Sequence, residues 1–110
     1  MTTNSLSEQS RAELLNVARA MVVGRMHLIE GVRRLSALRY DVGNPDDEVF
    51  HPIIATDDDT LSFPLGGVRA HWSSEALERS DRELDEYLTS ARKDILEACE
   101  KIIRKFSSDS

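Results

Sequence analysis

The sequence predicts an all-α fold: a small three-helix bundle, with helices over about 8–22, 27–40 and 74–106, and a long ordered, mostly non-helical loop over 41–72 packed on it. Three observations predict it. Apolar residues recur at spacings of three and four from Leu14 to Leu38, and again from Leu77 to Phe106. Between these zones "DVGNPDDE" stops the helical pattern with Gly43, suited to a left-handed cap, and Pro45, which pushes Asn44 out of helical geometry. The longest uninterrupted apolar run, Ala20 to Val23, is far short of the ~20 residues of a membrane span.

The first helix is marked by Leu14, Leu15, Ala18, Met21 and Val22. Two capping boxes compete for its start, Ser5 with Glu8 and Ser10 with Glu13. Gly24 then interrupts the pattern, and a mid-helix Gly costs ~1 kcal/mol relative to Ala, so two helices are expected in place of one rod. The second runs through Leu28, Ile29, Val32, Leu35 and Leu38. Within it, His27 and Glu30 share a face, and Gly31 suggests close approach by another backbone, that of 48–65, with Glu30 anchoring the crossing.

About thirty residues without helical periodicity follow, a length that in a compact domain is usually functional or disordered. Val49, Phe50, Ile53, Ile54, Leu61, Phe63, Leu65, Val68 and Trp72 give this stretch enough apolar surface to pack. Pro52 and Pro64 confine any extended pieces to edges. The last helix has the strongest pattern: Leu84, Leu88, Ala91, Ile95, Ala98 and Ile102 form its stripe, widened by Tyr87, Cys99, Ile103 and Phe106. Four Glu-to-basic pairs at i, i+4 support it (Glu75–Arg79, Glu78–Arg82, Glu97–Lys101 and Glu100–Arg104). Residues 1–7 and 107–110 are expected to be frayed tails of this single domain, 1–110.

Charge divides the chain in three. Residues 1–40 carry net +3; residues 41–68 carry seven acids, no Lys or Arg, and net −7; residues 69–110 carry net −2. The overall −6 argues against nucleic-acid binding, which rests on clustered Lys and Arg, and is compatible with a basic partner. One cysteine, Cys99, forms no internal disulfide and reads as a small buried hydrophobe. "MTTNSLSEQS" has neither the basic nor the apolar region of a signal peptide, so a cytoplasmic protein is expected, with no membrane partner. The long last helix leaves room to pair with a second copy, so a homodimer is a further expectation.

The loudest chemical feature is the aspartate triplet Asp57, Asp58 and Asp59. Carboxylates suit hard cations, but "DDDTLSFP" lacks the alternating ligands, Gly and terminal Glu of a calcium loop. No P-loop, nucleophile elbow, zinc spacing or dinucleotide fingerprint occurs, so no catalytic residue, metal or cofactor is assigned. The triplet, with Arg69 and His71 beyond "PLGG", reads as a partner-binding surface. Glu30, Gly31, Arg33 and Trp72 read as structural anchors, the Trp as a plug at the end of the bundle.

"MVVGRMHLIEGVRRLSALR" and "DTLSFPLGGVRAHWSSEAL" together resemble a group of small uncharacterised bacterial proteins with an I-E-G-x-R-x-L helix and a D-x-L-x-x-P-x-G-x-V-R-x-x-W loop. The matching positions are Ile29, Glu30, Gly31, Arg33 and Leu35, then Asp59, Leu61, Pro64, Gly66, Val68, Arg69 and Trp72. The resemblance implies no activity, and proteins of this style resemble immunity or accessory proteins. Three functions follow in order of preference: a non-enzymatic binding protein showing its acidic loop to a basic protein; a structural or self-associating helical protein; and a metal-dependent enzyme using Asp57–Asp59 with Glu30, His71 or Arg69.

Overall fold

The computed structural model describes residues 5–107, and they form four α-helices with two short 3-10 stretches. The helices are α1 (Ser5–Val22), α2 (Leu28–Leu38), α3 (His51–Asp59) and α4 (Ser74–Ser107). Residues 1–4 and 108–110 of the expected tails lie outside the described residues, whereas 5–7 open α1 and Ser107 closes α4.

Gly24 ends α1 as expected, through its backbone conformation and not only its low helix propensity. It sits at φ +80, and its N–H donates to the Met21 carbonyl at 3.2 Å while the Arg25 N–H donates to the Ala20 carbonyl at 2.8 Å. Those two bonds are the paired closures of a left-handed helix cap. His27 then caps α2: its Nδ1 accepts from the Ile29 N–H at 3.2 Å. It is therefore an exposed cap residue, not a helical neighbour of Glu30.

The all-α class holds, but the expected non-helical loop over 41–72 does not. Asp47 caps a 3-10 turn, Glu48–Phe50, by accepting the Val49 N–H at 3.0 Å, and the chain runs on into α3. Pro52 stands in the first turn of α3, where its missing N–H would be unpaired anyway. It starts a helix here and marks no strand edge. The inner face of α3 is Ile53, Thr56 and Thr60, all buried, and the Thr60 hydroxyl donates to the Thr56 carbonyl at 2.7 Å. Two threonines in three buried positions hide the helical period from a reading of apolar residues.

The core gathers Leu14, Val17, Ala18 and Met21 of α1, Ile29, Val32 and Leu35 of α2, Phe50 and Ile53, and one side of α4. α4 packs along α1, and α3 bridges α2 to α4. Phe50 meets Phe106 at 5.9 Å between ring centres, which fixes the 3-10 turn to the end of α4. At ~1.5 Å per residue the 34 residues of α4 account for the 53 Å long axis of the molecule. None of the four expected i, i+4 pairs on α4 closes within 4 Å among the described residues, consistent with the small contribution of exposed ion pairs.

Gly31 is a point of close approach, but what approaches is Met21 of α1, not the 48–65 backbone. A Cβ at position 31 would lie 2.3 Å from the Met21 Sδ. Glu30 is exposed and anchors no crossing, and no described residue pairs with it. No helix among the described residues is long and apolar enough to cross a membrane.

Candidate functional site

The aspartates follow one another on the last turn of α3, so successive side chains point ~100° apart. They accordingly separate into three environments. Asp57 turns inward to Arg33 of α2, with its Oδ1 3.6 Å from the guanidinium Nε. Asp59 accepts the Tyr87 hydroxyl of α4 at 3.0 Å. Asp58, between them, is exposed and has no ion pair among the described residues.

Arg33 explains how three acids are tolerated at this end of α3. A helix C-terminus already carries partial negative charge, and α3 has no basic residue in its last turn. Arg33 supplies the missing cation from the neighbouring helix, donating from its terminal nitrogen to the Thr60 carbonyl at 2.6 Å beside Asp57. Arg33 thereby links the end of α3 to α2. Tyr87 closes the other side, and its phenol is pushed up in pKa chiefly by burial, with the Asp59 charge adding to it.

Arg69 and His71 stand apart from the triplet. Arg69, on the 3-10 stretch Gly66–His71, grips Asp81 of α4 with two parallel bonds of 2.8 and 2.9 Å. That pairing holds the Asp81 carboxyl below the usual carboxylate range and raises the Arg69 guanidinium. Asp59 and Arg69 therefore reach α4 at Tyr87 and Asp81, positions ~9 Å apart along the helix. His71 is exposed, and Trp72 keeps 39% of its surface in solvent beside Phe63 and Ala76, so it does not seal the core.

Two depressions bear on function. A cleft of about 670 Å³ lies between α2 and the first half of α4, and it brings together Glu30, Arg33 and Arg69 from the two sequence motifs. Neither the aspartate triplet nor His71 lines it. Its arginines are engaged within the fold: Arg33 at α3, Arg34 with Glu13 of α1, and Arg69 with Asp81. No group of three His, Cys, Asp or Glu able to hold a metal occurs among the described residues.

The second depression, about 400 Å³, lies on the outer surface where α2 meets α3. Ala37 and Tyr40 line one wall; Ile54, Asp57, Asp58 and Leu61 line the other. Tyr40 and Leu61 are 62% and 61% exposed. Leu61 was expected to tack the segment to the helices, but it lies in the turn just beyond α3 and its side chain is exposed. The signal that sequence reasoning lacked was the helix itself, which puts Ile54 and Asp58 at i and i+4 on one face and Leu61 in the turn that follows.

Comparison with protein-family models, curated proteins and solved structures finds no match to this chain.

Proposed function

We propose that this chain is a non-enzymatic binding module of the accessory or immunity-like kind, presenting its acidic segment to a basic surface on a partner protein. The observation that supports this reading is the division of labour among the seven acids of residues 41–59. Three serve the fold: Asp47 is tied to Lys105, Asp57 to Arg33 and Asp59 to Tyr87. Four, Asp41, Asp46, Glu48 and Asp58, are exposed and without an ion pair among the described residues. Ordered helical backbone carries Glu48 and Asp58, so their negative field costs little ordering on association.

The test is retention of a basic protein on the immobilised chain at low salt, with two charge-matched variants. Neutralising Asp41, Asp46, Glu48 and Asp58 to their amides abolishes retention, and neutralising Glu83, Glu86, Glu97 and Glu100 on α4 leaves it intact. Retention that survives the first change, or falls equally with both, refutes the reading.

The structural alternative draws on Arg33–Asp57 and Lys105–Asp47, which neutralise two of the acids internally. The other arginines do not continue that pattern: Arg34 meets Glu13, and Arg39 donates to the Pro45 carbonyl at 2.8 Å. A homodimer belongs to this second reading, and sedimentation across a concentration series measures it.

A further inference from the structure

We infer that the depression between α2 and α3 seats an amphipathic basic segment of the partner, with an apolar side chain held between Tyr40 and Leu61 and a Lys or Arg on its adjoining turn meeting Asp58. The inference rests on the reading of the acidic segment as a partner-binding surface, and it names where and how that partner docks.

Rigid, exposed apolar groups are the first ground. Tyr40 is fixed twice by its neighbour, since the Arg39 guanidinium lies 4.3 Å from the ring centre and also donates to the phenolic oxygen at 2.8 Å. Arg39 is itself held by the Pro45 carbonyl. Leu61 follows Thr60, which is wholly buried and bonded through both its N–H and its hydroxyl to the last turn of α3. An aromatic and a leucine, pre-positioned and open to solvent around one concavity, have the composition and rigidity of an interface centre.

Charge is the second ground, and it selects the occupant. Both arginines that reach this depression are engaged, Arg33 at the Thr60 carbonyl and Asp57, and Arg39 at Pro45 and Tyr40. Asp58 is the acid at the rim without an ion pair among the described residues, within a 28-residue stretch, 41–68, that carries seven acids and no Lys or Arg; Arg39, whose partners are neutral, keeps its positive charge on the Tyr40 side of the depression. A nucleic acid or an anionic bilayer is repelled by that stretch. A second copy docking through the same patch is disfavoured too, because a twofold contact places two acidic segments face to face. A basic segment with an apolar stripe satisfies both parts of the surface at once.

Two 18-residue helical peptides of equal positive charge test this against the full chain by fluorescence anisotropy. One carries lysines on one face and leucines on the other; its counterpart has alanine at every leucine. The leucine peptide is expected to bind about 10-fold tighter, the scale of a small hot spot. The double variant Tyr40→Ser, Leu61→Ser removes that difference and leaves the alanine peptide's binding unchanged, whereas Asp58→Asn weakens both peptides. A difference that persists in the double variant overturns the docking seat. Equal binding of the two peptides, lowered by Asp58→Asn, overturns the seat and preserves the acidic-surface reading. Absence of binding by either peptide overturns both. Self-association of the wild type that Tyr40→Ser, Leu61→Ser abolishes identifies a second copy as the occupant and also overturns the inference. Both positions are exposed, so the double variant is expected to keep the wild-type melting temperature, which the same samples verify.

Discussion

Gly31→Ala tests the packing that sets α2 against α1. The new Cβ would lie 2.3 Å from the Met21 Sδ, 2.5 Å from its Cγ and 2.9 Å from its Cε. All three are below any van der Waals contact, so Met21 must move. It has little room, being 2% exposed, with its Sδ 3.7 Å from the Cys99 Sγ of α4. Overpacking of this kind costs ~1–3 kcal/mol, and alanine returns up to ~1 kcal/mol of helix propensity, so a net loss of about 1–2 kcal/mol is expected. Met21→Ala by itself removes a buried side chain and costs ~2–5 kcal/mol. In that second background the obstacle is gone, and Gly31→Ala becomes stabilising by up to ~1 kcal/mol. The sign reversal is the diagnostic, because a helix-propensity effect alone is the same in both backgrounds. Urea denaturation of the four proteins, followed by helical circular dichroism, measures it. A Gly31→Ala effect of one sign and size in both backgrounds refutes the contact.

Two pH predictions accompany it. The Asp47 carboxyl, only 6% exposed, is held below its ordinary value first by the hydrogen bond from Lys105 and then by the Val49 N–H. Its contribution is full above the unfolded carboxylate pKa of ~4 and is lost as pH falls through the lower folded value, so Asp47→Asn, which keeps a cap acceptor, flattens the acid limb of the urea midpoint below about pH 4; an unchanged limb contradicts the pairing. The Cys99 thiol, with no exposed surface, is pushed up to about 12, mainly by burial and further by Glu100. The folded state then keeps a proton that the unfolded chain releases above ~9, so stability falls with rising pH by on the order of 4 kcal/mol across that window, and a thiol reagent modifies Cys99 only on unfolding; rapid modification of the native protein at pH 8 contradicts the burial.

What was legible in the sequence follows the kind of signal each element carries. α1, α2 and α4 bury leucine, isoleucine and valine at helical spacing, and hydrophobic period is the feature a one-dimensional reading detects best. Gly24 was legible because a left-handed cap is a local demand, met within six residues from Ala20 to Arg25. α3 was not, since its buried face is Ile53, Thr56 and Thr60, and its proline reads equally as a helix start or a strand edge. Arg69–Asp81 and Arg33–Thr60 span 12 and 27 positions, and no spacing rule within one element announces them.

The missed helix carried the candidate site with it. In an irregular loop, three adjacent aspartates converge or splay according to turns that the sequence does not specify, so metal, partner and solvent stay open together. On a helix they cannot converge: steps of ~100° send one side chain to Arg33, one to Tyr87 and one outward. The end of that helix also decides Leu61: the chain leaves α3 at Thr60, and Leu61, in the turn beyond it, stands on the surface beside Ile54 and Asp58. Hydrophobicity gave Leu61 a tendency to be covered without saying by what. The turn after α3 leaves it uncovered among the described residues, beside a tyrosine fixed by Arg39 and an aspartate with no ion pair, and on that combination the proposed basic and apolar partner rests.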